Sequence, residues 1–62
     1  MVKILYKRQK EILNFIVRQI DKAGSAPTLV EIADRFGLSS LATVHEHLSV
    51  LEKKGFIRRY KG

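Results

Sequence analysis

The 62-residue sequence predicts a small, mainly α-helical domain of three helices followed by a short β wing that the chain could leave incomplete. Three observations support this. Apolar residues recur every three or four positions in three separate segments, each followed by a glycine. Residues 28–55 give a short helix, a tight glycine turn and a longer helix with a polar outer side. A basic segment with strand-forming residues comes next. This order is typical of a winged helix-turn-helix.

The first helix is predicted over residues 7–22. Its apolar side chains have helical spacing, so one side of the helix is expected to face a core. They are Ile12, Leu13, Ile16 and Ile20, with Phe15 and Val17 beside them. Gly24, in a short segment that also holds Pro27, is the expected left-handed residue at the end of the helix.

The second helix is predicted over residues 29–36. Thr28 and Glu31 have capping-box spacing, in which the hydroxyl accepts from the amide of the glutamate and the glutamate reaches back. Four apolar residues then form a buried stripe, and Gly37 stops the helix. The stripe consists of Leu29, Ile32, Ala33 and Phe36.

The third helix is predicted over residues 41–54, with Ser40 as its N-cap and Gly55 at its end. Val44, Leu48 and Leu51 stand at i, i+4 and i+7 and are expected to face the core. Residues 56–60 then predict a strand, the first of a wing. The alternative for this segment is a solvated tail.

The charge is +6, with twelve Lys and Arg against six Asp and Glu. Residues 1–10 and 53–62 carry nine of the cations and no acid, whereas residues 11–52 have a net charge of −3. Two basic ends around an acidic middle are typical of a polyanion-binding protein. The alternative is that the charge serves only solubility.

Several function classes are disfavoured. One domain, residues 1–62, offers no paired nucleophile and base and no cofactor loop, so we expect neither an enzyme nor a cofactor. The chain has no cysteine and no long apolar run, so neither a disulfide nor a membrane span is expected, and a cytoplasmic location is the default. His45 and His47 flank Glu46, but alternate residues of a helix do not share a face, so no metal site is expected.

The outer side of the third helix predicts contact with DNA bases. Short polar side chains near its start would allow close approach to the major groove. Ser40, Thr43 and His45 can donate to or accept from base edges, and Glu46 could accept from a cytosine amine. Ser40 also has the alternative role of a helix cap alone, and His47, beside the core stripe, that of a packing residue.

Phosphate contacts are expected on both sides of that helix. The free amides at the starts of the second and third helices, near Thr28 and Ser39, can bind phosphate oxygens. Cationic side chains would hold the backbone on the flanks: Lys53, Lys54, Arg58 and Arg59 on one, and Arg8 on the other. Thr28 could instead serve only as a cap, and the two lysines only as partners of the helix dipole.

Short matches throughout the chain resemble one known family. They are Arg8-Gln9 with Glu11-Ile12-Leu13, Ala26-Pro27-Thr28, Glu31-Ile32-Ala33, Gly37-Leu38-Ser39-Ser40, Thr43-Val44-His45, His47-Leu48, and the run from Leu51 to Arg59. The chain resembles the N-terminal DNA-binding domain of the LexA-type SOS repressors. Each match alone is weak, but the combination is specific.

The resemblance implies a transcriptional repressor of the DNA-damage response that binds double-stranded DNA at an inverted-repeat operator, one domain per half-site. It places the base contacts on Ser40, Ala42, Thr43, His45 and Glu46, and phosphate contacts on Lys53 and Lys54. The serine, threonine and histidine pattern is similar to that of the Gram-positive branch, whose operators resemble GAAC…GTTC.

Some features depart from the family pattern. Relatives often carry glycine at Glu46 and arginine at Val50, which affects the expected half-site, and Tyr6 replaces the usual cap of the first helix. The second wing strand and the self-cleaving C-terminal domain do not occur in these 62 residues. We therefore expect an excised domain or a small stand-alone regulator that cannot cleave itself and is monomeric in isolation.

Two alternatives remain from the sequence. In the first, the domain is a winged-helix protein-interaction module whose basic face binds an acidic partner. In the second, residues 7–22 form an amphipathic membrane helix, although burial against the other helices explains their apolar stripe better.

Overall fold

A computed structural model describes residues 5–58 of the chain. This part forms three helices: α1 (Lys7–Ala23), α2 (Leu29–Phe36) and α3 (Leu41–Lys53). No strand occurs among these residues, so the fold is mainly α-helical, as the sequence predicts. α1 ends one residue later than expected from the sequence, and α3 one residue earlier.

The predicted strand over residues 56–60 lies only partly within the described chain. Phe56, Ile57 and Arg58 do not form a strand there. A strand requires a neighbour that pairs with its backbone groups, and residues 5–58 provide none. Arg59 and Tyr60 lie outside the described residues, so the wing remains a prediction.

The starts of α2 and α3 confirm the predicted caps. The Thr28 hydroxyl accepts from the Glu31 amide at 3.1 Å, and Glu31 Oε1 accepts from the Thr28 amide at 2.8 Å. Ser40 Oγ accepts from the Ala42 amide at 3.1 Å. These bonds satisfy amides that have no partner within the helix, and so they fix where each helix begins.

α2 and α3 end in the same hydrogen-bonded pattern. Gly37 and Gly55 have φ angles of 65° and 82°, in the left-handed region where a side chain would be strained. After α2, the Leu38 amide donates to the Ala33 carbonyl at 2.9 Å, and after α3 the Phe56 amide donates to the Leu51 carbonyl at 2.9 Å. Such an end reverses the chain within two residues. Gly37 therefore provides the tight turn between α2 and α3.

The core lies where α1 and α2 both pack against α3. The buried side chains are Ile12, Ile16, Ile32, Ala33, Val44, Leu48 and Leu51. The α3 stripe predicted from the sequence is confirmed, since Val44 and Leu51 are fully buried and Leu48 is nearly so. Small Ala33 is buried in α2. This packing fixes which side of α3 faces outward.

One part of the predicted α1 stripe does not reach the core. Ile20 is 47% exposed and Val17 is 55% exposed. Both line an apolar groove of about 490 Å³ together with Pro27, Phe56 and Ile57. Ile20 thus follows the helical period but lies on the flank of α1 that faces the end of the described chain.

Candidate nucleic-acid interface

The buried stripe of α3 determines its outer face. Because successive residues turn by about 100°, Ala42, Glu46 and Lys53 lie about opposite Val44. All three are exposed. The outer face therefore carries a small side chain near its start, an acid in the middle and a cation at the end, with no bulky residue that would prevent close approach at the start.

Four of the five predicted base-contacting residues are exposed. These are Ser40, Ala42, His45 and Glu46, and the fifth, Thr43, is half-buried. Thr43 and His45 project about 160° apart around the helix axis. The two side chains therefore face opposite flanks of α3. Ser40 Oγ accepts from the Ala42 amide, which leaves its hydroxyl hydrogen as a donor.

The starts of the helices differ in their suitability for phosphate. At the start of α2, the Glu31 carboxylate already accepts from the Thr28 amide and brings a negative charge to that end. The first turn of α3 contains no acid, and Ser39 and Ser40 are exposed there. Since an anion binds best where no carboxylate competes, the start of α3 is the better of the two predicted positions.

The cations on the flanks are held in different ways. The Arg8 guanidinium lies 5.6 Å from the centre of the Phe36 ring, a cation–π contact that orients an exposed side chain. Lys53 and Arg58 are exposed. Lys54 is half-buried, and its ammonium donates to Gln9 Oε1 at 3.2 Å and lies 5.2 Å from the Tyr6 ring. Arg59 lies outside the described residues.

The contacts of Lys54 bring the two basic ends of the sequence together. Lys54 belongs to the C-terminal basic segment, while Tyr6 and Gln9 belong to the N-terminal one. Gln9 Oε1 also accepts from the Tyr6 amide at 3.4 Å, so the same oxygen takes part in capping α1. The start of α1 and the end of α3 therefore lie side by side, and with them the two basic segments.

Comparison with known proteins identifies the family. A family model for the LexA DNA-binding domain matches residues 2–62. This chain belongs to that family. It is 52% identical over 59 residues to the LexA repressor of Caldicellulosiruptor saccharolyticus, and 53% identical over 55 residues to that of Shouchella clausii. These alignments cover 95% and 89% of the chain, but only 29% and 26% of the two relatives.

The match concerns a DNA-binding domain, so the chain corresponds to the DNA-binding part of the relatives and not to a catalytic part. Within residues 5–58, no three His, Asp or Glu side chains are grouped as a metal site would require. None of the helices formed by those residues is both long and apolar enough to cross a membrane.

Sequence reasoning missed Gln9, the residue that links the two basic ends of this LexA-family domain. The sequence predicts that Tyr6 is a poor cap and that Lys54 contacts phosphate, but no local pattern connects residues 9 and 54. The Tyr6 side chain indeed makes no capping hydrogen bond. A periodicity argument could not have found the contact, because it depends on how α1 crosses α3.

The two neighbouring lysines are expected to respond differently to glutamine. Lys53→Gln should make the slope of log K against log salt for DNA binding shallower by about 0.9, because the sequence predicts that exposed Lys53 contacts a phosphate. Lys54→Gln should leave that slope nearly unchanged and lower the free energy of unfolding by about 1 kcal/mol, because the charged bond to Gln9 is lost. Salt-dependent DNA titration and urea unfolding measure the two effects. An equal loss of slope in both variants would show that Lys54 binds phosphate directly.

Proposed function

We propose that this chain is a sequence-specific double-stranded-DNA-binding domain of a transcriptional repressor, and that α3 binds in the major groove. The observation that carries the proposal is the juxtaposition of two features. α3 has an outer face free of bulky residues at its start, and the basic ends of the chain meet beside it through Lys54 and Gln9. The outer face of α3 suits base edges, and the basic ends of the chain suit the phosphate backbone.

Family membership supports the repressor role, since the relatives are named LexA repressor. By this reasoning the domain acts in the DNA-damage (SOS) response, in the bacterial cytoplasm, on an inverted-repeat operator with one domain per half-site. The chain spans less than a third of those relatives, and the matching family model is that of their DNA-binding domain. By this proposal the chain therefore has the function of that domain. Assembly on the two half-sites is then a property of the whole repressor.

The residues divide into two roles. Ser40, Ala42, Thr43, His45 and Glu46 face the bases, with the Thr43 methyl suited to thymine and the Glu46 carboxylate to a cytosine amine. The phosphate set comprises Arg8, Thr28, Ser39, Lys53, Lys54, Arg58 and Arg59. Among these, the geometry favours Arg8, Ser39, Lys53 and Arg58 for direct contact, because Thr28 is engaged by Glu31 and Lys54 by Gln9.

A titration of two labelled duplexes tests the proposal. One duplex carries an inverted GAAC…GTTC repeat and the other a scrambled sequence of the same length, and anisotropy is measured across a salt series. With about five phosphates neutralised, log K should fall with log salt at a slope near −4.5 for both duplexes. Tighter binding to the repeat should persist as salt rises, because base contacts do not depend on released counterions.

The same titration distinguishes the protein-interaction alternative. Equal affinity for both duplexes at every salt concentration would mean that α3 does not recognise bases. The basic surface would then act only through charge, as it would toward an acidic protein.

A further inference from the structure

A second charged surface lies on the side of the molecule formed by α1 and α2. It is a depression of about 410 Å³ lined by Glu11, Asn14, Phe15, Arg18, Gln19, Lys22, Arg35 and Phe36. None of these residues belongs to α3. The depression is therefore distinct from the proposed base-contacting face, and it lies on the opposite flank of α1 from the apolar groove that contains Val17 and Ile20.

The cations of this depression are concentrated in a way that the sequence alone does not show. Residues 11–52 have a net charge of −3 and contain only three cations, Arg18, Lys22 and Arg35. All three line this one depression. Along the sequence they are spread over eighteen positions in an acidic segment, but in space they lie together around one depression.

These cations are available to a partner. Among residues 5–58, Arg18 and Lys22 form no ion pair, and the Arg35 guanidinium lies over the Phe15 ring, 5.7 Å from its centre. Lys22 and Arg35 also lie in the last turns of their helices, where positive charge is favourable. That role explains a cation at each helix end, but it does not require both to share a depression with Arg18.

The base of the depression is aromatic and held in place. Phe15 and Phe36 meet edge to face, with ring centres 5.7 Å apart and planes at 86°. Arg35 covers the Phe15 ring, and Arg8 lies over the Phe36 ring at 5.6 Å. Two cations and two rings thus form one continuous series of contacts across α1 and α2. Such a surface offers both charge and apolar contact area to a ligand.

We propose that this depression, defined by Arg18, Lys22 and Arg35 around Phe15, is a docking surface for an extended acidic peptide segment of another protein. Charge complementarity identifies the occupant. Arg18 and Lys22 are one helical turn apart, a rise of about 6 Å, and alternate side chains of an extended peptide are about 7 Å apart. Carboxylates at positions i and i+2 of the segment therefore match the two cations, while an apolar side chain at position i−2, on the same face of the peptide, can contact Phe15.

A peptide suits the depression better than a DNA backbone does. Glu11 stands among the lining residues and would repel a continuous line of phosphates. A peptide can place an uncharged residue there. Asn14 and Gln19 add side-chain amides, which can bond to a peptide backbone.

The test uses a defined probe and two charge-matched variants. The probe is a fluorescein-labelled ten-residue peptide with serine at every second position and, at the alternate positions, one phenylalanine followed by glutamates, so that the ring and the carboxylates share one face. A second peptide has glutamine in place of each glutamate. Arg18→Gln with Lys22→Gln removes two cations from the depression. Lys7→Gln with Lys10→Gln removes two exposed cations from the same helix outside it.

We expect the acidic peptide to bind, and the glutamine peptide to bind at least fivefold more weakly. The variant in the depression should lose about fivefold to tenfold in affinity, whereas the Lys7 and Lys10 variant should stay within twofold. Amide chemical shifts on titration should change around Phe15, Lys22 and Phe36 rather than along α3. The salt slope for DNA should be the same in the depression variant as in the native domain.

Three outcomes would overturn the proposal. No binding of the acidic peptide at millimolar concentration would mean that the depression is only a solvated surface. Equal losses of peptide affinity in the two double variants would show that the peptide responds only to the net charge of the domain. A shallower DNA salt slope in the depression variant would assign Arg18 and Lys22 to the phosphate backbone. Recognition of the operator by α3 is measured with other residues, so it succeeds or fails independently.

Discussion

Replacing Thr43 and His45 together with alanine is expected to abolish most of the discrimination between operator and scrambled DNA. The two side chains lie on opposite flanks of α3 near its start, so under the proposed function they would contact different base pairs and their losses should add. Each good base contact contributes about 1–3 kcal/mol, so affinity for the inverted repeat should fall by at least about 30-fold. Affinity for scrambled duplex should hardly change, because it depends on the phosphate contacts.

A matched pair elsewhere on the surface controls for the double substitution. Asn14→Ala with Gln19→Ala also truncates one exposed and one half-buried polar side chain, but on α1. This variant should retain the full preference for the repeat. If the Thr43 and His45 variant also retained it, α3 would not be the element that recognises sequence. Circular dichroism of both variants verifies that the helices are intact.

Leu51→Ala is expected to unfold most of the domain at 37 °C. Leu51 is fully buried where α1 and α2 meet α3, and truncation of a buried leucine costs about 2–5 kcal/mol. A core of this size supplies only about 3–5 kcal/mol of net stability. The loss is therefore comparable to the whole free energy of unfolding. Thermal unfolding followed at 222 nm measures the effect.

The same substitution at the start of α3 provides the control. Leu41 is 45% exposed, so Leu41→Ala should lower the free energy of unfolding by less than about 1 kcal/mol. The control makes the same leucine-to-alanine change in the same helix. Similar losses of stability in the two variants would show that α3 does not pack on the core through the side that contains Val44 and Leu51.

Much of the local structure could be predicted because its causes are local. The Thr28 and Glu31 capping box, the Ser40 cap and the glycine turn at Gly37 each involve residues within a few positions of one another. The buried face of α3 followed from its period, since a helix can bury only one side. For the same reason the exposed set near the start of α3 could be selected before the structure was known.

The predictions fell short where a residue's surroundings depend on distant segments. Ile20 fits the α1 period but lies at an exposed groove whose other walls include Pro27, Phe56 and Ile57, residues from distant segments. Lys54 donates to Gln9, a residue 45 positions away, and no pattern in the sequence predicts that contact. Half-burial of Thr43, beside fully exposed Ala42, likewise depends on the rotation of α3 within the core.

The sequence by itself determined the three helices, their caps, the turn and the family, because short-range hydrogen bonds and apolar periodicity are properties of neighbouring residues. Only the tertiary structure decided which charges lie together. It joined the basic ends through Lys54 and Gln9, and it gathered Arg18, Lys22 and Arg35 around one aromatic pair. Charges far apart in the sequence become neighbours only when packing fixes the crossing of the helices, and no local pattern encodes that crossing.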